Sequence, residues 1–244
     1  MKTWRLIPLM EADGALHMTI DRWLLMQHEK YNHPPTLRFY TWNPPAISLG
    51  VSQKRHFPSH WHNIIYQGKP LDLVKRPSGG RGVLHQGDLT YMVVTSDLQG
   101  NLDQVYRQIC QFLIRGWHKL GVDLDFGQPD KQYLQSANCF KLATNADLID
   151  RNGNKFIGSS QLKKGKFVLQ HGSMVLNPDI VLFQKVFNTM PPRPEIPVLS
   201  LGSIVSVLTE SAGEYFNCQF EIQPLTSEEI ASCLAMTQEA KTKT

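Results

Sequence analysis

Two residues in the middle of the chain, Cys139 and Lys155, are of types that could make and break an acyl bond. Cys139 lies in the small, polar stretch "QSANCF", and Lys155 follows the turn dipeptide Asn152-Gly153. A cysteine reacts as its thiolate, and a nearby ammonium raises the thiolate fraction of a thiol whose ordinary pKa is about 8.5. Because free cysteines are often small buried residues, the residue types alone leave a nucleophilic and a packing role open.

A glycine-rich segment, "KRPSGGRGVLH", occupies residues 75–85 between two predicted strands. Glycine permits a positive φ and a close approach of the backbone to a ligand, and exposed N–H groups in such a turn can bind an anion or a carbonyl oxygen. Arg76 and Arg81 add positive charge beside it. The spacing matches neither the GxxxxGK[ST] nor the GxGxxG phosphate loop. A ligand-binding loop and a plain glycine hairpin with solvated basic residues therefore both remain open.

The remaining polar candidates carry weaker signals. His85 and His171 each lie in a predicted strand near a glycine, where a hydrogen-bonded structural histidine is the commoner outcome. The sequence contains no HxH or HxxxH pattern and no GxSxG motif, so it predicts neither a metal site nor a hydrolase serine. Asp150 is expected to cap the turn before Lys155. Cys110, Cys218 and Cys233 are interpreted as structural, since the cysteines show no paired spacing.

Length, charge and hydropathy limit the class of protein. The 244 residues suit a single catalytic domain spanning 1–244, with the last few residues disordered. The net charge of +4 is too small for a nucleic-acid-binding surface. No apolar run is long enough to span a membrane, and the N-terminus lacks the apolar core of a signal peptide. Four unpaired cysteines predict a cytoplasmic protein.

Helices and strands predicted from hydrophobic periodicity must position these candidates. Apolar residues recur at helical spacing in 13–30, 101–122, 178–188 and 226–238, while strand patterns cover 36–42, 45–50, 71–77, 82–85, 89–96 and a meander over 147–177. The two types do not alternate as βαβ units. The sequence therefore predicts an α+β fold with a mixed, largely antiparallel sheet flanked by helices.

Four stretches taken together resemble the lipoate-protein ligase A / octanoyltransferase family, within the biotin/lipoate A/B protein ligase group. They are "GALHMTIDRWLL", "LRFYTWNPPAISLGVSQ", "KRPSGGRGVLHQGDLTY" and "GNKFIGSSQLKKGKFVLQHGSMVL". The resemblance covers roughly residues 14–177. It implies a biotin/lipoate protein ligase catalytic-domain-like fold, with Lys155 as the family's essential lysine.

Two local features are similar to one branch of that family. ATP-dependent ligases typically carry "SGGGAV" in the glycine loop, whereas this chain has "SGGRGV" and a cysteine in "ANCF". Both resemble the cysteine-dependent octanoyltransferases of the LipM type and the amidotransferases of the LipL type. The resemblance therefore implies that Cys139 is the acyl-accepting nucleophile.

The resemblance also implies substrates. Octanoyl-acyl carrier protein would donate the octanoyl group, and a lysine of a lipoyl domain, such as that of the glycine cleavage H protein, would accept it. No cofactor and no metal are expected; ATP and magnesium would be needed only by the alternative, a lipoate-protein ligase. A second alternative is transfer between lipoyl domains. The expected substrate-binding residues are Arg76, Ser78, Gly79, Gly80, Arg81, Gly82, His85, Gly158, Gln161 and His171.

Overall fold

The computed structural model describes residues 1–53, 57–127 and 147–242. The elements follow in the order β1 (Lys2–Ala12), α1 (Gly14–Tyr31), β2 (Thr36–Trp42), β3 (Ala46–Leu49), β4 (Ile65–Tyr66), β5 (Lys69–Pro70), β6 (Asp72–Lys75), β7 (Val83–His85), β8 (Asp88–Ser96), α2 (Leu102–Lys119), β9 (Asp125–Phe126), β10 (Leu148–Ile149), β11 (Lys155–Lys164), β12 (Phe167–Val175), α3 (Ile180–Phe187), α4 (Leu201–Phe216), β13 (Cys218–Ile222) and α5 (Ser227–Thr242).

An eight-stranded sheet in the order β13-β1-β2-β8-β12-β11-β10-β9 forms the centre of the fold. The β13–β1 and β1–β2 pairs are parallel, and the pairs from β2 onward are antiparallel. A smaller sheet, β6-β3-β7, packs beside it. The predicted α+β class with a mixed, largely antiparallel sheet is confirmed.

The large sheet has an apolar core on each face, because successive residues of a strand face opposite sides. Leu37, Phe39 and Tyr91 pack with α2 and α4 on one face. Tyr40 and Met92 pack with α1 and α5 on the other face. Residues of α1 therefore lie directly over the β2–β8–β12 part of the sheet.

The glycine-rich segment is held at both of its ends by strands of the small sheet. Strand β3 pairs with β6 in parallel and with β7 in antiparallel fashion, and the glycine segment connects β6 to β7. A third apolar cluster packs this sheet against α3 and includes the fully buried Trp61. Both flanks of the loop are thus fixed by packing and by strand pairing.

Most predicted elements are present with bounds shifted by a few residues, but β1, α4, β13 and the two-residue strands β4, β5 and β9 were missed. The β1 sequence contains Pro8, which falls where the β1–β2 register shifts, a position that tolerates the missing N–H. Helix α4 contains two glycines and several β-branched residues, so its intrinsic helix propensity is low. Its buried residues Ile204, Leu208 and Ala212 pack in the α2 core. Tertiary packing rather than propensity forms this helix.

Within the described ranges, every helix falls short of the length and hydropathy that crossing a bilayer requires.

Candidate active site

A cavity lies between α1, the glycine loop and the strands β11 and β12. About 640 Å³ of space free of protein atoms, solvent at the open mouth included, lies among its lining residues. Met18, Tyr40, Trp42 and Val83 give it an apolar lining. Six of the residues predicted to react with or bind substrate also line it: Arg76, Gly80, His85, Lys155, Gly158 and His171.

Lys155 lies at the start of β11 and forms a buried ion pair in this cavity. Its Nζ is 2.8 Å from Oδ1 of Asp147, and both side chains are 5% exposed. The preceding turn is fixed by Asp150, whose Oδ1 accepts from the backbone N–H groups of Asn152 (3.0 Å) and Asn154 (2.8 Å). The predicted capping role of Asp150 is confirmed. The turn therefore presents Lys155 to the cavity from a rigid support.

Arg76 shapes the glycine loop from inside. Its Nε and Nη2 donate to the carbonyl oxygen of Gly79 (3.0 and 2.8 Å), and Nη2 also donates to that of Arg81 (2.6 Å). Its Nη1 donates to the carbonyl oxygen and to Oγ of Ser48 (2.8 and 3.2 Å). A guanidinium has five N–H donors, so this one side chain can bind the loop and β3 at the same time. Arg76 thus ties the loop to β3, in addition to lining the cavity.

A chain of hydrogen bonds connects α1 to the glycine loop through His171. Asp21 Oδ2 is 2.7 Å from His171 Nδ1, and His171 Nε2 is 2.6 Å from Ser78 Oγ. Ser78 Oγ is in turn 2.6 Å from Ser160 Oγ. Asp21 also accepts two hydrogen bonds from Arg38, at 3.0 and 2.7 Å. Asp21 and Arg38 are fully buried, and Ser160, at the other end of the chain of hydrogen bonds, is partly exposed.

A second chain of the same kind runs through His85. Its Nδ1 is 2.8 Å from Asp88 Oδ2, and its Nε2 is 2.8 Å from Ser48 Oγ. Asp88 Oδ2 also accepts from the hydroxyls of Thr90 (3.1 Å) and Ser173 (2.6 Å). The indole of Trp42 stacks on the His85 ring, with 3.7 Å between centroids. The second chain therefore organises one wall of the cavity.

Burial and ion pairing set the charge states of these groups. For Asp21, burial opposes ionisation, but the Arg38 guanidinium and the hydrogen bond from His171 outweigh it and hold the pKa of this carboxyl below its ordinary value. Burial lowers the pKa of His85, and Asp88 only partly offsets that effect. Burial, with Asp21 nearby, raises the pKa of Tyr40 well above its ordinary value. At neutral pH, Asp21 is therefore charged, whereas His85 and Tyr40 are neutral.

The buried His17 is expected to make the protein less stable as the pH is lowered. Burial first, and then the Arg38 guanidinium, lower its pKa from 6.5 to about 3. Between these values the unfolded chain binds more protons than the folded one, so stability falls as pH is lowered. Because glutamine cannot take up this proton, His17→Gln is expected to flatten the slope by up to about 1.4 kcal/mol per pH unit. Urea unfolding between about pH 4 and 7 measures it.

The matched control for that prediction is His62→Gln, at an exposed histidine. It should leave the slope of the unfolding free energy against pH at its wild-type value. If His17→Gln also retains the wild-type slope, burial does not hold His17 neutral in the folded chain.

Other predicted binding residues lie around the cavity rather than in its lining. Ser78 belongs to the His171 chain, and the carbonyl groups of Gly79 and Arg81 accept from Arg76. Gly82 faces the core, since a Cβ there would come within 2.3 Å of the Trp61 ring. Gln161 donates to Gln170 at 3.0 Å. Gln161 and Ser160 are successive strand residues, so their side chains face opposite sides of the sheet.

The cysteine predictions divide by position. Cys139 lies outside the described residues. Burial raises the pKa of the Cys110 thiol to about 12 and those of Cys218 and Cys233 to about 11. These three thiols stay protonated at neutral pH and are poor nucleophiles, in agreement with their structural interpretation.

Sequence reasoning missed the buried charges behind the cavity. Arg38 is a charged residue inside the apolar strand "TLRFYTW", on the same strand face as Tyr40 and Trp42. Asp21 lies on the buried face of α1, one helical turn after His17 and Met18. A charge at an inward-facing position usually needs a buried partner. That rule would have paired these two residues.

The chain matches a known family over most of its length. Residues 13–233 match the family model described as the lipoyl protein ligase A/B catalytic domain. The Octanoyltransferase LipM of Halalkalibacterium halodurans is 37% identical over 199 residues, which cover 77% of this chain and 71% of that protein. The Octanoyltransferase LipM of Bacillus subtilis (strain 168) is 34% identical over 189 residues, covering 73% of this chain and 67% of that protein.

Solved structures agree with the fold. A T. acidophilum protein described as a lipoate protein ligase, with bound lipoic acid, superposes with a TM-score of 0.81 at 19% identity, covering 98% of this chain and 96% of that one. A lipoate-protein ligase A bound with ATP superposes with a TM-score of 0.78 at 18% identity, covering 98% of this chain and 95% of that one. At such identities the likeness is one of fold.

Proposed function

The chain belongs to the lipoyl protein ligase A/B catalytic-domain family, and from this premise we propose that it is an octanoyltransferase of protein lipoylation that works through a cysteine thioester. One observation carries the proposal: a buried lysine, Lys155, lies in an apolar-lined cavity of a chain whose similar relatives bear the name octanoyltransferase. The donor is octanoyl-acyl carrier protein, and the acceptor is a lysine of a lipoyl domain. The reaction takes place in the cytoplasm.

In the first half-reaction, the Cys139 thiolate attacks the carbonyl carbon of the carrier thioester. A new C–S bond forms to Cys139 as the old C–S bond breaks, and the carrier leaves as a thiolate that takes up a proton. Covalent catalysis of this kind divides one transfer into two similar steps. The two protein substrates then need not be bound together, so we expect ping-pong kinetics.

In the second half-reaction, the neutral amine of the acceptor lysine attacks the octanoyl-cysteine. An amide forms, the amine gives up one proton, and the Cys139 thiolate is released. Charge on the carbonyl oxygen rises in both tetrahedral intermediates. Hydrogen-bond donors placed beforehand at such an oxygen are the usual source of rate enhancement in acyl transfer.

Lys155 is the side chain we assign to that charge. Its ion pair with Asp147 holds the ammonium at one position in the cavity, with 5% exposure for each partner. A compact ammonium suits a point contact with a single oxygen atom. The same positive charge favours the thiolate form of Cys139. The Asp147 carboxylate partly cancels the positive charge of Lys155. The main effect of Asp147 is therefore to orient Lys155.

The lining of the cavity supports an acyl substrate. Met18, Tyr40, Trp42 and Val83 supply apolar contacts. Each buried methylene contributes about 0.8 kcal/mol. An octanoyl tail could therefore be bound tightly without any charged contact.

The donor specificity tests the proposal. Purified chain is given a lipoyl domain together with one of three donors: octanoyl-acyl carrier protein alone, octanoate with ATP and magnesium, or a second lipoyl domain that is already octanoylated. We expect an octanoylated acceptor, seen by intact-mass spectrometry, with the carrier thioester and without ATP.

Two results would replace this proposal by a related one. Product that requires octanoate and ATP, with an acyl-adenylate detected on the way, would make the chain a ligase. Product only from the octanoylated lipoyl domain would make it an amidotransferase. Boiled enzyme and a lipoyl domain with its target lysine replaced by arginine serve as controls for uncatalysed acylation.

A further inference from the structure

Two carboxylate–histidine–serine chains flank the same cavity with the same order of groups. One runs from Asp21 through His171 to Ser78, and the other runs from Asp88 through His85 to Ser48. The four connecting distances lie between 2.6 and 2.8 Å. Both histidines line the cavity. The two aspartates stand behind its wall, with 0% and 7% exposure.

We propose that Asp21 and Asp88 are positioning residues that hold His171 and His85 as neutral Nδ1–H tautomers. In this state each Nε2 accepts the hydroxyl hydrogen of a serine, which fixes the glycine loop between the two chains. The expected effect on catalysis rests on the proposed octanoyl transfer, whereas the tautomers can be observed without any reaction.

The direction of the hydrogen bonds follows from what each atom can donate. An ionised carboxylate has no hydrogen, so His171 and His85 must both supply a hydrogen from Nδ1 to the adjacent aspartate. A neutral ring then has a bare Nε2, which accepts from Ser78 or Ser48. Each serine oxygen keeps a lone pair. Ser48 uses it for Nη1 of Arg76 at 3.2 Å, and Ser78 can use it for the hydroxyl of Ser160 at 2.6 Å.

The charges around the chains favour neutral rings. Arg38 already balances Asp21, because its guanidinium donates two hydrogen bonds to one carboxylate oxygen. A protonated His171 would add a second positive charge where Arg38, Asp21 and His171 are each at most 4% exposed. Uncompensated buried charge is costly. In the second chain, burial lowers the pKa of His85 and Asp88 only partly offsets that effect, so this ring is also neutral.

This arrangement holds the glycine loop from two sides. Ser78 precedes the glycines and is bound to His171, while Arg76 binds the carbonyl groups of Gly79 and Arg81 and reaches Ser48. The other tautomer would point an N–H of Nε2 at the serine oxygen and leave the carboxylate facing the lone pair of Nδ1. The ring would then lose its hydrogen bond to the aspartate, which holds it in place beside the loop.

The order of groups is also that of a serine hydrolase triad, but the geometry favours positioning over nucleophilic attack. Ser78 is 1% exposed, and its oxygen is already close to two partners. Asp21 divides its charge between Arg38 and His171, which weakens its support for an imidazolium. We therefore assign no acyl-serine step to this chain.

Imidazole 15N NMR of the full chain at neutral pH tests the proposal directly. His171→Asn and His85→Asn samples serve to assign the signals. We expect both rings in the wild type to show a protonated Nδ1 and an unprotonated, hydrogen-bonded Nε2. An Nε2–H tautomer or a doubly protonated ring for either histidine would overturn the proposal. The NMR spectra identify the tautomers of both histidines even if the chain fails to transfer octanoyl groups.

Asp88→Asn tests the effect on catalysis and leaves no ion pair broken. The amide can donate to Nδ1, so the His85 signals should change towards the Nε2–H tautomer. We expect kcat to fall about 10- to 100-fold, as for other carboxylates that orient a functional histidine. The control is Asp103→Asn, at an exposed carboxylate on α2. Unchanged His85 signals in Asp88→Asn, with the protein folded, would show that Asp88 does not set the tautomer.

Discussion

Replacing Lys155 with methionine is expected to lower the rate of octanoyl transfer by about 10²- to 10³-fold. Methionine keeps a long, unbranched side chain but removes the ammonium to which we assign contact with the reacting carbonyl oxygen. Steady-state kinetics with octanoyl-acyl carrier protein and a lipoyl domain measure the change. We expect the loss mainly in kcat, because the apolar lining that binds the acyl chain is retained.

Two further variants separate the chemistry of Lys155 from folding. Lys155→Met leaves Asp147 as a buried charge without this partner, so the double variant Lys155→Met/Asp147→Asn removes both charges and should fold while remaining inactive. Lys163→Met changes a lysine on the same strand that binds the carbonyl oxygen of Gly100. It should keep wild-type activity. Near-normal transfer by the folded double variant would mean that Lys155 has no part in the reaction.

Replacing Arg38 with methionine is expected to lower the free energy of unfolding by about 3–5 kcal/mol. The substitution leaves the Asp21 carboxylate buried and without its guanidinium, beside Tyr40, whose hydroxyl donates to it at 3.1 Å. Urea unfolding followed by circular dichroism measures the change, with the denaturant slope as a check on two-state behaviour.

An exposed ion pair provides the comparison. Arg107 and Asp103 form an i,i+4 pair on α2 with 36% and 61% exposure. Arg107→Met should cost no more than about 0.5 kcal/mol. If Arg38→Met and Arg107→Met lower the free energy of unfolding by the same small amount, the Asp21–Arg38 pair does not stabilise the fold.

Periodicity predicted the elements with strong one-sided patterns. Helix α2 carries its apolar residues on one face and Gly121 follows its end, so its position was predicted closely. Helix α4 was missed because its sequence favours no single conformation, and packing on α2 decides it. Strand β1 was missed because Pro8 interrupts its pattern. Single-sequence reasoning sees neither packing nor parallel pairing between distant segments.

Residue types and the family resemblance together led to the predicted site residues. Lys155, Arg76, His85 and His171 do line one cavity, although they are far apart in the sequence. Their roles are less visible from sequence. From the sequence, Arg76 is expected to bind an anion. In the structure, five of its hydrogen bonds go to backbone and serine oxygens of the loop and β3. A guanidinium's partners depend on loop geometry, which spacing alone does not encode.

The central claim is that the chain carries the octanoyl group on Cys139. Intact-mass spectrometry of the protein incubated with octanoyl-acyl carrier protein, without ATP and without a lipoyl domain, tests it most directly. We predict a gain of one octanoyl group, located on the peptide that contains Cys139, absent in Cys139→Ala and retained in Cys110→Ala. No adduct on the wild type, or an undiminished adduct on Cys139→Ala, would contradict the account.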